Sequence, residues 1–223
     1  MGEVAAYFDL DGTLLDASSE KTLTQRMARV RPLGIPLSAV AWGLRLVIGL
    51  ISGRSLYDAA RNRGHFTSVR WADLERESVH LVEQTLTQRV PKEAWERLAW
   101  HRERGHHLVL VTATVAPMAE AMGEALGMDR VYGCGPPERI GRLSGSERGW
   151  SVPRRKGKAP IVEADASEHG HALEACWGYG NTHADSWFMR LCGHPVAVNA
   201  EASLDRLATK EGWDRVIWRC AET

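Results

Sequence analysis

Two carboxylates two residues apart, Asp9 and Asp11, followed at once by Gly12 and Thr13, are the residues of this 223-residue chain best placed by type and spacing for chemistry. They close a short apolar run, Val4 to Phe8, that reads as a buried strand, so both acids sit where the chain leaves a sheet. In an open α/β sheet, ligands bind beyond the carboxyl ends of the strands, a position suited to chemistry and poorly suited to packing. Gly12 gives the turn its backbone freedom and lets amides approach an anion. A calcium loop of the EF-hand kind would need further acids and a closing glutamate, where this chain offers Thr13, Leu14 and Leu15.

Three later stretches also put polar groups at strand ends or helix starts. His107 to Thr112 is an apolar strand ending in a hydroxyl, followed by Ala113, Thr114 and a helix from Met118 to Leu126; a threonine there also suits a helix cap. Arg154-Arg155-Lys156-Gly157-Lys158 is the densest positive cluster, and as a charge run alone it reads as solvated surface. Cys176 to Gly180 reads as a strand entering a glycine turn. Asn181, Thr182, His183 and Asp185 follow, before a helix from Trp187 to Leu191, and His183 is read as a surface residue at the helix start.

The elements that position these residues alternate between strand and helix, except in one long interval. From Ala17 to Gln88 strand signals vanish. Ser18 or Ser19 opens a capped helix, Pro32 to Pro36 is a breaker cluster, and Leu37 to Ile51 is an apolar helix with Arg45 as its only charge. That run is short for a membrane span, which needs about 20 residues, so no integral membrane segment is expected. It reads as a helix buried in a small helical domain, or as an apolar wall for a lipid-like substrate. A further amphipathic helix follows from about Trp71 to Val90, then one from Lys92 to Arg104, closed by Gly105. After a short strand at Arg130 to Tyr132, turn residues from Gly133 to Gly145 predict an irregular hairpin. His194 to Asn199, a helix from about Ala202 and a strand at Arg215 to Trp218 close the chain.

Asp9-Leu10-Asp11-Gly12-Thr13 at a strand end resembles the first motif of the haloacid dehalogenase superfamily, and the later stretches resemble its other three motifs in order. The resemblance implies a Rossmann-like α/β fold, a mostly parallel sheet with helices on both faces. It further implies a catalytic core of residues 1–16 and 89–223, with 17–88 as a helical cap like that of the phosphoserine-phosphatase branch. Asp9 would be the nucleophile of a phosphomonoester hydrolase that forms an aspartyl phosphate, and Asp11 the proton carrier. Thr112 and Lys158 would complete the catalytic set and, with Gly12 and Ala113, hold the phosphate. Thr114 and Lys156 are the alternatives for the hydroxyl and the lysine. Mg²⁺ would be held by Asp9, the main-chain carbonyl of Asp11, Asp185 and Asn181. The last is a departure, because the family pattern has an acid where this chain has Asn181; an amide oxygen ligates a hard cation without adding charge. The residue nine after Asp9 is Ser18 rather than the glutamate of phosphoserine phosphatases, with Glu20 two further on. The substrate is therefore expected to be another small phosphorylated metabolite. The alternatives are a lipid or amphiphilic phosphate, or phosphate binding without catalysis.

Composition bounds the partners. Twenty-eight basic and 28 acidic side chains balance, with a pI near 7.1, so no global field draws the chain to nucleic acid or to an anionic membrane. Cys134, Cys176, Cys192 and Cys220 lack zinc or disulfide spacing and are expected reduced. No basic-then-apolar leader precedes the first strand, from which a cytoplasmic protein is expected. Composition leaves the oligomeric state open.

Overall fold

Every residue of β1 (Ala5–Phe8) is buried in the computed structural model, which describes residues 3–60 and 62–220. A strand that meets no water on either face must lie mid-sheet, and an all-apolar run is what that position requires. β1 pairs in parallel with β2 (His107–Val115) on one side and β4 (Trp177–Gly180) on the other. β3 (Arg130–Cys134) extends the sheet beyond β2, while β5 (His194–Val198) and β6 (Asp214–Val216) extend it beyond β4. The order β3-β2-β1-β4-β5-β6 is parallel throughout, and the chain reverses its direction of travel between β1 and β4. That reversal opens the crevice in which doubly wound sheets bind ligands.

The two faces carry separate cores. Ala6 and Phe8 point to one, with α5 (Lys92–Glu103) and α6 (Ala116–Leu126); Ala5 and Tyr7 point to the other, with α7 (Lys158–His169), α8 (Ser186–Met189) and α9 (Ala202–Glu211). On the second face, at the far edge from Asp9, the Tyr7 and Tyr132 hydroxyls and the Arg130 guanidinium all converge on the buried Asp165 carboxylate.

Between β1 and β2 the described residues form no strand. They build α1 (Ser19–Val30), α2 (Ile35–Ile51), α3 (Leu56–Ala60) and α4 (Trp71–Leu81), then a π-helical turn, Val82–Leu86, and a 3₁₀ turn, Thr87–Arg89. Leu23, Met27, Phe66 and Leu74 of this insert share one core with Phe8 and Leu110 of the sheet. The segment after β3 is tied to the insert, with Ser68 N donating to the Leu143 carbonyl at 2.8 Å and Leu143 N to that of Val69 at 2.9 Å. The irregular hairpin closes through paired Gly135 and Ser151.

Several expectations are corrected. Ser18 occupies the N-cap of α1 but makes no side-chain cap bond; the Asp11 carboxylate accepts from Ser19 N at 3.0 Å instead. β2 runs past Thr112 to Val115, because its ladder with β3 shifts register after Val111 and resumes at Val115 with Cys134. The apolar helix is not buried: only Gly49 of α2 is. Its bounds also differ, since with the preceding 3₁₀ turn it spans Pro32–Ile51, 20 residues long and apolar enough, by length and composition alone, to cross a membrane. The four cysteines are free, as expected.

Behind Asp9 lies an aromatic stack. Phe8 lies flat on Tyr179 at 4.5 Å, and His101, fully buried, stands edge-on to both while its Nε2 meets the Tyr179 hydroxyl at 2.9 Å. Burial, with the positive charges of His106, Arg97 and Arg104 adding to it, pushes the His101 pKa down to about 3. The folded protein therefore holds His101 neutral, whereas the unfolded chain takes up a proton below about pH 6.5. Stability from this residue is complete above pH 6.5 and falls as the pH drops toward 3, by up to about 1.4 kcal/mol per unit. Urea denaturation at pH 7 and pH 5 checks this: His101→Gln, unable to titrate, should be less stable overall yet lose less between the two pH values than the wild type.

Candidate active site

The strand ends and helix starts singled out in the sequence meet at the carboxyl edge of β1. Asp9 follows β1 directly, and its amide donates to the Tyr179 carbonyl at 3.0 Å, extending the β1–β4 ladder by one residue. Lys158 is the first residue of α7, and its buried side chain crosses to the sheet, where Nζ donates to Asp9 Oδ1 at 2.5 Å and Asp185 Oδ1 at 2.7 Å. Asp185, at the start of α8, is fixed from behind: its Oδ2 accepts from Thr182 N at 3.0 Å and Thr182 Oγ1 at 2.8 Å. Asp9 Oδ2 receives the Thr13 hydroxyl at 3.3 Å. One ammonium thus holds two carboxylates from opposite ends of the chain.

The turn after Asp9 is tight. Gly12 N donates to the Leu15 carbonyl at 2.8 Å, and Leu15 N to that of Leu10 at 2.9 Å. Gly12 has φ +81°, a left-handed conformation that favours glycine, and a Cβ on it would lie 2.1 Å from Asn181 Nδ2. The Asn181 amide therefore packs directly on the Asp9–Asp11 turn. Asp11 is anchored by the N-terminus of α1 through Ser19 N.

Thr112 and Thr114 are both buried beside this edge, but they differ in partners. Thr114 Oγ1 is engaged by Ser19 Oγ at 2.9 Å, whereas Thr112 Oγ1 accepts only from Thr114 N at 3.2 Å, among the described bonds. Lys156, the alternative lysine, is exposed and lies over the Trp187 ring at 4.6 Å. His183 is exposed, as expected.

Arg63 escaped the sequence reading. Buried within the helical insert, its guanidinium donates to the Ala113 carbonyl at 2.7 Å and pairs with Glu20, with Glu147 at 3.5 Å. Nothing in its local sequence signals this, because an arginine between Asn62 and Gly64 has no periodic pattern and its partners lie far along the chain. Burial raises the Glu20 pKa, but Arg63 and His65 outweigh it and leave that carboxyl below its usual value.

The electrostatics are those of a site short of positive charge. Burial pushes the Asp9 carboxyl up to about 7; Lys158 pulls it down and Asp185 pushes it back. Asp11 rises to about 6 through burial, which its bonds from Ser19 only partly offset. Burial disfavours the Lys158 charge, yet Asp185 and Asp9 outweigh this and hold the ammonium more firmly protonated than a free lysine. The donor set of Asp9, Asp185, the Asp11 carbonyl and Asn181 is all oxygen, and by donor type and its excess of carboxylate over ammonium it fits a small hard cation, which would share the edge with Lys158 Nζ, placed on one oxygen of each carboxylate. A second cluster, Asp165, His169 and His171, brings its ligand atoms within 4.8 Å of one another, with the Arg130 guanidinium on both Asp165 and His171.

Comparison with known proteins bears on the family and the fold. The family model for haloacid dehalogenase-like hydrolases matches residues 6–190. A phosphoserine phosphatase of Mycobacterium tuberculosis is 26% identical over 97% of this chain and 71% of its own length. The inhibition of morphological differentiation protein of Streptomyces azureus is 27% identical over 94% and 76%. Among solved structures, a protein of unknown function from Bordetella pertussis Tohama I superposes with a TM-score of 0.79 at 22% identity, covering 97% of this chain and 99% of its own. A phosphoserine phosphatase solved as a phospho-aspartyl intermediate analogue superposes at 0.65 with 18% identity, covering 97% and 94%.

Removing the ammonium leaves two buried carboxylates facing each other. Lys158→Met should cost about 3–5 kcal/mol at pH 7.5. Part of that loss should return near pH 5.5, where Asp9 takes up a proton. Denaturation at the two pH values measures both, and a variant as stable as wild type at pH 7.5 would show that the bridge holds nothing together.

Proposed function

Because the chain belongs to the haloacid dehalogenase-like hydrolases, we propose that it is a phosphatase that cleaves a small phosphate monoester through an aspartyl phosphate on Asp9. The observation that carries this is geometric: the buried Asp9 carboxylate is bound by Lys158 at 2.5 Å, and a second carboxyl, Asp11, stands two residues on, anchored by Ser19 N. Burial raises both, to about 7 and about 6, so the roles rest on Lys158 at Asp9 and not on the order of the two values. One group is suited to attack and the other to carry a proton near neutral pH.

In this reading an Asp9 oxygen attacks phosphorus and the P–O bond to the leaving group breaks, while Asp11 gives that oxygen its proton. Asp11, now a carboxylate, takes a proton from the water that attacks the phosphoryl group. The acyl phosphate P–O bond breaks, and Asp9 returns to its starting form with inorganic phosphate released. Lys158 and Thr112, with the backbone at Gly12 and Ala113, hold the phosphoryl oxygens through both steps. Such positioning and charge stabilisation supply most of phosphoryl-transfer catalysis. Asp9, the Asp11 carbonyl, Asp185 and Asn181 would hold Mg²⁺, which when bound supplies the positive charge that lets an anionic nucleophile meet an anionic phosphate. Residues 1–16 and 89–223 carry the chemistry and 17–88 form the cap. The relatives named phosphoserine phosphatases support a small phosphorylated substrate. The pairing of Glu20 with Arg63 means that a substrate with both ammonium and carboxylate groups would have to compete with that ion pair.

Asp9→Asn should abolish hydrolysis of an aryl phosphate in the presence of Mg²⁺ without lowering the melting temperature, and retained turnover would remove Asp9 from its role. Asp11→Asn should cost about 10²-fold or more with a poor leaving group, where proton donation matters most. Asn181→Asp adds a carboxylate to the cation site and should lower the Mg²⁺ concentration for half-maximal activity; superimposable titrations would place Asn181 away from the metal.

A further inference from the structure

Helix α2 turns its apolar side outward. Leu37, Val40, Leu44, Val47 and Ile51 recur in steps of three and four, with Ile48 beside Val47 and four residues after Leu44, one stripe of a 3.6-residue helix, and each is between 50 and 82% exposed. The protein holds the other side. Trp42 Nε1 donates to the Ala60 carbonyl at 3.1 Å, and Arg45 reaches that of Ser144 at 2.7 Å. Gly64 approaches so closely that a Cβ there would lie 2.4 Å from the Trp42 Cα. The helix is therefore fastened sideways to its insert, with an apolar stripe left in water, where a surface of this kind marks an interaction site.

Charge identifies the partner. The chain as a whole is neutral, yet from residue 21 to 57 it carries Lys21, Arg26, Arg29, Arg31, Arg45 and Arg54 and no Asp or Glu. Immediately before Pro32, a cavity of about 320 Å³ is lined by Arg31, Arg70, Arg76 and Arg142, with Val30 and Asp73. Arg70 and Arg76 share the Asp73 carboxylate at 2.8 and 3.0 Å and Arg76 also pairs with Glu77 at 3.1 Å, while Arg31 and Arg142 meet no carboxylate there among the described residues and both donate to the Ser68 carbonyl, at 3.3 and 2.9 Å. An apolar stripe bracketed by cations complements a bilayer of anionic lipids, whose acyl boundary accepts the stripe and whose phosphates meet the cations. A second copy of this chain would instead set like charge against like across a two-fold interface.

We propose that α2 is a membrane-docking helix that lies in the plane of an anionic bilayer surface and binds lipid phosphates at its N-terminal end. Spanning would require α2 to abandon its contacts through Trp42 and Arg45; lying flat keeps them. The proposal is independent of which phosphate ester the active site takes, and of whether it takes one.

The test is sedimentation of the whole protein with vesicles of phosphatidylcholine, alone or with about 30 mol% phosphatidylglycerol, at about 50 and about 500 mM NaCl. Binding to the anionic vesicles should be at least about 10-fold tighter than to neutral ones and should weaken with salt. Val40→Glu with Leu44→Glu should lower it by about 10-fold or more, leaving the far-UV spectrum and the turnover of a soluble aryl phosphate unchanged. Arg31→Gln with Arg142→Gln, at the cavity before Pro32, should remove much of the preference for anionic lipid, and an unchanged preference would overturn the phosphate site. Failure of the wild type to bind anionic vesicles would overturn the proposal, as would full binding by the Val40→Glu, Leu44→Glu variant. A wild-type dimer that this variant splits, with no vesicle binding, would make a second copy the occupant. Binding that resists high salt and alkaline extraction would make α2 a spanning helix.

Discussion

The Lys158 ammonium between Asp9 and Asp185 is the interaction to which the rest of the fold answers. Two carboxylates sharing a desolvated edge repel each other, and taking them out of water is costly unless a cation and hydrogen bonds compensate. The compensation comes from every direction the topology offers: Thr13 from the turn, Thr182 from the β4–α8 connection, and Lys158 from the start of a helix on the second face. Only two pairs among these groups are near in sequence, Thr13 with Asp9 and Thr182 with Asp185. The parallel sheet brings them together because each follows, or packs against, the same edge of β1 or β4.

The site was legible in the sequence to the extent that its residues sit at punctuation. Asp9 closes an apolar run and is followed by a glycine turn, so type and spacing mark it, whereas Lys158 and Asp185 are singled out by resemblance to the later motifs of the family. The structure separates the two lysines: Lys158, the first residue of α7, turns inward to Asp9 and Asp185, while Lys156, in the turn before the helix, lies over Trp187. Arg63 was invisible because its partners, Glu20 and Ala113, are brought to it only by tertiary packing. At the start of α1 the Ser18 hydroxyl makes no cap bond, and it is the Asp11 carboxylate from the preceding turn that takes up an amide, that of Ser19.

The helical insert shows how far composition can mislead about burial. α1 and α4 carry mixed surfaces and bury their apolar residues against the sheet, as periodicity predicts. α2 is apolar almost all round, so no periodic signal says which side is packed, and the general association of apolar helices with interiors points the wrong way. Its packed side is chosen instead by Trp42 and Gly49, residues that fit a close neighbour, while the branched and long aliphatic residues face out.

The position of β1 has a consequence for how the chain reaches its native state. Its partners begin at His107 on one side and Trp177 on the other, so this strand is made with no local partner at all. Closing loops of such length is entropically unfavourable and slows folding relative to helical contacts formed nearby. During synthesis the helical insert emerges and can settle while β1 is still unpaired on both edges. Asp9 acquires its backbone neighbour, Tyr179, only when about four-fifths of the chain exists. The strand that leads into Asp9 is thus made well before both of its neighbours, which makes the interval before residue 180 appears a period of exposure to misassembly.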